Sequence, residues 1–370
     1  MRWSLLCAAV LALLGAPAAR AEVHFLAKQY TRCGACHVSA SGGSLLTAYG
    51  RSLSKEEIST FGRSAPDRPS TARTHLSLFG LFSGEGPLDI GVSVRPSRLD
   101  FEVKDFKSHR NLVMRADAQV ALRSGPITAY VEVGRLPSVP AAVISREHWL
   151  RYEDETGMGL KLGRFLQAYG LRSVDHTAYH RRGLGFDQDG QIYGLELTDT
   201  KDKRLAQFSI GARAKGLLND KLPGQFTMSG RVQFDLGERK ALVLSGLHRG
   251  STKGQPQQFV GGVAYGIAPS SRLSLWTELD VRAMEGWKGT PEYVIVHEAA
   301  FEIVRGLWIK VSPQIHTALA NVSGGTTRLQ IGLQFLPVSH VNLILAWSVD
   351  KDRIRGTKFY TLVSQFHLYL

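Results

Sequence analysis

Cysteine is almost missing from this chain: three occur in 370 residues. Cys7 lies in an opening stretch with a positive start at Arg2, a short apolar core, "LLCAAVLALLGA", and a small-x-small site at Ala19-Arg20-Ala21. Those features describe a cleavable secretory signal over residues 1–21, so the mature chain is expected to begin at Glu22 with Cys33 and Cys36 as its cysteines. Two neighbouring thiols cannot build a disulfide framework.

Long apolar runs are lacking too. Past residue 21 no stretch approaches the roughly 18 apolar residues that mark a membrane-spanning helix. No nucleotide, Ser-His-Asp or zinc-hydrolase motif stands out, so hydrolytic chemistry has no positive support. Acid is scarce relative to base: the formal charge is +13, or +11 once Arg2 and Arg20 leave with the signal. Such an excess favours anionic partners or surfaces without naming them, and no nucleic-acid partner is expected.

What the chain does have is alternation. In "TRLQIGLQFL", Leu329, Ile331, Leu333 and Phe335 share one face while Arg328, Gln330 and Gln334 share the other. "RLSLWTELDV" sets Leu273, Leu275, Leu279 and Val281 against Trp276, Glu278 and Asp280, and "VNLILAWSVD" aligns Val341, Leu343, Leu345, Trp347 and Val349. These are strands with one apolar and one polar face. From about residue 74 onward, about 16 to 18 of them follow one another, each about ten residues long, the length of a tilted membrane strand.

The connections alternate as well. Tight ones fall at "SG" near 124, "DETG" near 154, "DTKDK" near 199, "LGE" near 236, "APSS" near 267, "VRG" near 304 and "LPVS" near 336. Longer ones such as "AKGLLNDKLPGQ" and "RAMEGWKGTPE" lie between. Segregating short turns to one rim and long loops to the other is the habit of an outer-membrane barrel; a soluble sandwich has no reason to do it. The expected fold class is therefore all-β, a transmembrane antiparallel barrel. Its apolar faces point outward and Arg115, Asp117, Arg213, Arg231, Glu278 and Arg328 line the lumen. The last strand, "FYTLVSQFHLYL", is read with Phe366, Leu368 and Leu370 on one face.

Ahead of the strands stands "YTRCGACHVSASGGSLLTAYGR". Cys33 and Cys36 are spaced to add across the two vinyl groups of a haem, and His37 is placed to take the iron from the proximal side. A thioredoxin-like pair would need a βαβ setting, and a structural zinc site normally needs four ligands. One haem c is the expected cofactor, with Cys33 and Cys36 binding it and His37 as the axial metal ligand. The sixth ligand is not assigned; His24, His316 and His367 are among the candidates. One connection, Phe165 to Gly190, is far longer than the others and is read as an inward-folded loop. Its Asp175, His176 and His180 form a weaker metal candidate.

The run "FLAKQYTRCGACH" followed by "LLTAYGRSL" resembles the fused monohaem cytochrome-porins of the outer membrane, best known as iron oxidases. Phe25, Ala27, Gln29, Cys33, Cys36, His37, Leu46, Thr47, Gly50 and Arg51 match that pattern, while Thr31, Ala48 and the continuation "SLSKEEISTFG" depart from it. The resemblance implies a haem segment (22–72) on the periplasmic side or in the lumen of a barrel (73–370). It implies electron transfer between an extracellular donor or acceptor, iron(II) among them, and periplasmic carriers. Plain electron transfer is the reading the residues favour over an iron(II):cytochrome oxidoreductase-like enzyme. Two alternatives stand beside it: a solute-conducting porin whose haem segment is a gate or redox sensor, and a soluble periplasmic haem protein.

Overall fold

The computed structural model describes residues 23–61 apart from 31, 41 and 44, residues 76–77 and 82–83, and residues 86–370 apart from 137–138, 172–174, 176, 187–189, 214–223, 253–255, 285–290 and 318–324. The expected signal, the 72/73 boundary, Thr31 and His176 fall outside these residues.

Sixteen strands close into one barrel. They are β1 (Leu88–Val103), β2 (Phe106–Ser124), β3 (Ile127–Leu136), β4 (Val139–Glu153), β5 (Met158–Leu166), β6 (Gln191–Lys201), β7 (Arg204–Ala212) and β8 (Phe226–Asp235). The second half comprises β9 (Lys240–Arg249), β10 (Gln258–Ile267), β11 (Leu273–Met284), β12 (Glu292–Val304), β13 (Leu307–Thr317), β14 (Thr326–Phe335), β15 (Val341–Asp352) and β16 (Lys358–Tyr369). Every strand pairs antiparallel with its neighbour in sequence, and β16 closes on β1 through Tyr369 opposite Ser93. Closure removes both sheet edges, which lipid would not tolerate unpaired.

The seven tight turns named from the sequence lie on one rim, as expected, but the other rim is not made of long loops alone, since β1 joins β2 through Lys104 and Asp105 only. The first strands depart from the expected ten residues: β1 has 16 and β2 has 19. Here a bulge intervenes, because Arg95 faces Arg115 while Pro96 faces Val113, leaving Met114 over. The extra residue exchanges the two faces of β2 beyond it, while β1 keeps its parity throughout. Below the bulge the outer face of β1 carries Ile90, Val92 and Val94; above it come Arg98, Asp100 and Glu102.

Parity elsewhere follows the sequence reading. On β11, Trp276, Glu278 and Asp280 are buried within the lumen while Leu279 is outside. Leu150, Leu162 and Leu195 stand side by side on β4, β5 and β6 and are 52%, 57% and 42% exposed. An apolar band uncovered by protein is stable only in hydrocarbon, so the barrel is built to sit in a bilayer. No helix among the described residues is long and apolar enough to cross a membrane; strands do the crossing. At the chain end the Leu370 N–H donates to Val92 O at 2.9 Å, carrying the β16–β1 ladder one residue past Tyr369 opposite Ser93, and Leu370 is only 5% exposed.

Candidate functional site

Two segments occupy the lumen. The first is residues 23–61, which carry α1 (Val23–Ala27), α2 (Cys33–Cys36), α3 (Ala48–Leu53) and a π-helical turn, Ser54–Ile58. Leu26, Ala27, Leu53 and Ile58 pack on Ala241, Ala264, Trp276, Ala300 and Trp308 of the inner wall. Burying such faces removes apolar area from water at about 25 cal/mol per Å².

Polar anchors ring the tight-turn mouth. Lys28 pairs with Glu302, Arg32 with Asp235 at 2.9 Å, and Arg51 with Asp89 at 3.6 Å. Thr60 N–H donates to Leu336 O at 2.9 Å and Phe61 N–H to Pro337 O at 2.8 Å. Ser54 and Tyr369 share a hydroxyl contact of 3.1 Å. The segment is a plug in the mouth.

Within it, α2 is a single turn closed by His37 N–H on Cys33 O at 2.8 Å. His37 then bridges Leu46 as an isolated antiparallel pair, and Thr47 N–H returns to Cys36 O at 2.8 Å. Thr47 caps α3 by accepting from Gly50 N–H at 3.1 Å. Gly50 has to be glycine, since a Cβ there would collide with the Cys36 carbonyl. Arg51 reaches the wall, donating to Ile90 O at 3.2 Å. The residues shared with the cytochrome-porin pattern downstream of the motif thus shape the cysteine turn and seat it.

Cys33 and Cys36 are free thiols. Burial pushes the Cys36 thiol up to about 11, with Cys33 and Glu57 adding to the shift, whereas a redox dithiol wants the opposite. Cys33, Cys36 and His37 line a cavity of about 230 Å³, faced from the wall by Arg95, Arg115 and His367. Cys33 also borders a larger lumen cavity of about 660 Å³ that reaches Thr326, Asp350 and Phe359 near the long-loop rim. Two thiols one turn apart, an adjacent imidazole and open space on the thiol side suit a covalently held haem.

The second segment is the β5–β6 connection, which folds inward. Tyr169, Tyr179, Leu184 and Phe186 pack on Leu247, Val260, Val294 and Val296. The lumen arginines hold its irregular backbone: Arg231 donates to Gly170 O at 2.9 Å, Arg249 to Leu184 O at 2.8 Å, Arg282 to Gly183 O at 2.9 Å and Arg328 to Thr177 O at 3.0 Å. Loop carbonyls without a ladder must find donors, and guanidinium groups supply them. Arg115 is engaged differently, with Asp117 and Glu132.

Fold comparison with solved structures follows this architecture. The anion-selective porin from Comamonas acidovorans aligns with a TM-score of 0.57 at 9% identity, over 76% of this chain and 99% of that one. OprB of Pseudomonas putida gives 0.60 at 10% identity over 77% and 94%, and the DcaP channel of Acinetobacter baumannii 0.55 at 10% over 76% and 97%. The chain has the porin fold. At these identities the likeness is one of architecture. No family model and no curated protein matches the sequence.

Of the histidines weighed from sequence, His24 lies in the plug against Phe25 and Trp308. His367 contacts Ser93 Oγ at 3.1 Å, and His316 lies 3.6 Å from Glu292. Of the weaker metal candidate, His176 lies outside the described residues; Asp175 accepts from Thr177, and Asp175 and His180 both border the larger cavity. His180 is buried on the inner loop, where burial, and then Arg181, lower its pKa to about 3. Sequence reasoning missed Arg249 and Arg282 as loop anchors; their inward parity on β9 and β11 was the available signal.

Proposed function

We propose that this chain is a plugged outer-membrane barrel that passes electrons, not solutes, through a c-type haem held by Cys33 and Cys36 with His37 as proximal ligand. One observation carries the reading: Cys33, on the plug, borders a lumen cavity that extends to the opposite rim. A redox group fixed there is approachable from outside by way of the lumen and from the periplasm through the plug. When bound, such a group supplies one-electron exchange at a potential set by its ligands and burial. The chain's own part is to hold it, exclude solvent at the mouth and keep the lumen narrow. The implied partners are outer-membrane lipid, an extracellular donor or acceptor such as iron(II), and periplasmic electron carriers.

A second reading is favoured by the fold likeness itself. The Comamonas neighbour is an anion-selective porin, and arginines line this lumen too, so residues 23–61 could act as a gate on an anion pore.

Sealed liposomes containing the purified protein separate the two, with an electron acceptor inside and an impermeant donor outside. Fast internal reduction that is lost in His37→Ala, with little anion leak, is the expected result. Anion conductance without transmembrane reduction would establish the gated pore instead. The Cys33→Ser/Cys36→Ser variant should lose haem staining on a denaturing gel that the wild type retains.

A further inference from the structure

Resting on the haem reading above, we propose that His180 of the inner loop supplies the second axial ligand, the position His37 leaves open. The smaller cavity holds His37, but the larger one, which Cys33 also borders, is where His180 sits. His180 belongs to a π-helical turn, Tyr179–Gly183, which is held from three sides, twice by its main chain and once by the Tyr179 side chain. Tyr179 N–H donates to Gln314 at 3.0 Å, its hydroxyl to Asp350 at 2.6 Å, and Arg282 donates to Gly183 O at 2.9 Å. The ring is therefore positioned without help from bonds of its own.

It makes none. His180 is 5% exposed, and neither ring nitrogen has a hydrogen-bond partner. The Glu278 carboxylate lies 3.8 Å away, beyond bonding distance. Leaving a polar atom buried and unsatisfied costs about 1–3 kcal/mol, so a side chain kept this way on a well-tethered turn calls for a role. Coordination would satisfy one nitrogen at a stroke.

The competing histidines have other contacts. His367 faces the smaller cavity but meets Ser93, while His316, 3.6 Å from Glu292, and His24, packed against Phe25 and Trp308, line neither cavity. Two histidine ligands would close the iron to small molecules and leave it able only to exchange electrons, and the second ligand would tie the β5–β6 loop to the plug.

The test is spectroscopic, on the purified full-length protein with its haem. The wild type should give the absorption and electron paramagnetic resonance of a low-spin ferric haem with two nitrogen ligands. His180→Ala should become high-spin, external imidazole should restore the low-spin spectrum, and His367→Ala should leave it unchanged. His180→Met, which keeps bulk and a ligand, should stay low-spin with a His–Met signature; heat-modifiable migration checks that each barrel is folded. A low-spin spectrum surviving in His180→Ala, or lost in His367→Ala, overturns the assignment while leaving the haem reading intact. A wild type with no gel-stable haem overturns both.

Discussion

Arg32, the residue before the first cysteine of the plug, meets Asp235 at the end of β8 at 2.9 Å, and its guanidinium also reaches Asp202 O. The pair joins the cysteine turn directly to the rim. Both side chains are partly shielded, 19% and 15% exposed, which places the bond between a surface pair worth up to about 1 kcal/mol and a buried one worth about 3–5. Arg32→Ala should loosen the plug by about 2 kcal/mol, read as faster hydrogen exchange across residues 32–37. Exchanging the two charges should recover part of it.

Gly50→Ala places a methyl against the Cys36 carbonyl. Overpacking of this kind costs about 1–3 kcal/mol. Proteolysis within residues 33–53 should accelerate while the barrel keeps its heat-modifiable migration; unchanged protection would mean that α3 does not rest on the cysteine turn.

The outward leucines predict the cost of charge. Leu162 stands at mid-strand on β5 between Leu150 and Leu195, so Leu162→Arg should destabilise the folded barrel in bilayers by about 2–4 kcal/mol. Equilibrium unfolding from lipid vesicles measures it. An effect near zero would place that face away from hydrocarbon.

Sidedness follows from the two rims. An epitope inserted after Ile354, in the β15–β16 connection, should be reachable on intact cells, and one after Glu155, in the β4–β5 turn, only after the outer membrane is opened. The reverse labelling would invert the barrel.

Acid should release the plug. Burial, and then Arg51, lower the His340 pKa from 6.5 to about 4, and the ring packs on Tyr369 beside the Ser54 anchor. Above pH 6.5 the ring is neutral whether docked or free. Between about 6.5 and 4 the undocked state takes up a proton that the docked state refuses, so docking weakens as pH falls. Protease access to residues 54–61 should rise across that window, and His340→Asn, which tolerates the positive φ of 67° found there, should flatten the rise.

The barrel was legible because its information is local. Alternation along Leu273–Val281 and the spacing of "APSS" or "VRG" fix each strand's parity and its rim without knowledge of any partner. The Met114 bulge was not, since one extra residue leaves the pattern of β2 looking regular while exchanging its faces. Cys33, Cys36 and His37 declared themselves by spacing. Their setting did not, because Lys28–Glu302 and Arg32–Asp235 join residues 274 and 203 positions apart. Nor could periodicity show that His180, in a stretch with none, would be buried.

Those long spans impose an order on assembly. Ser54 finds Tyr369, 315 residues later, only after β16 has met β1, and the other anchors wait on turns from nearly every quarter of the rim. The first part of the described chain to be synthesised is thus the last to be seated. Until then Cys33 and Cys36 stand in the open on an undocked leader, accessible to whatever modifies them. Once seated, both thiols are half-buried against the wall, so a bulky group would join them most readily before the barrel closes.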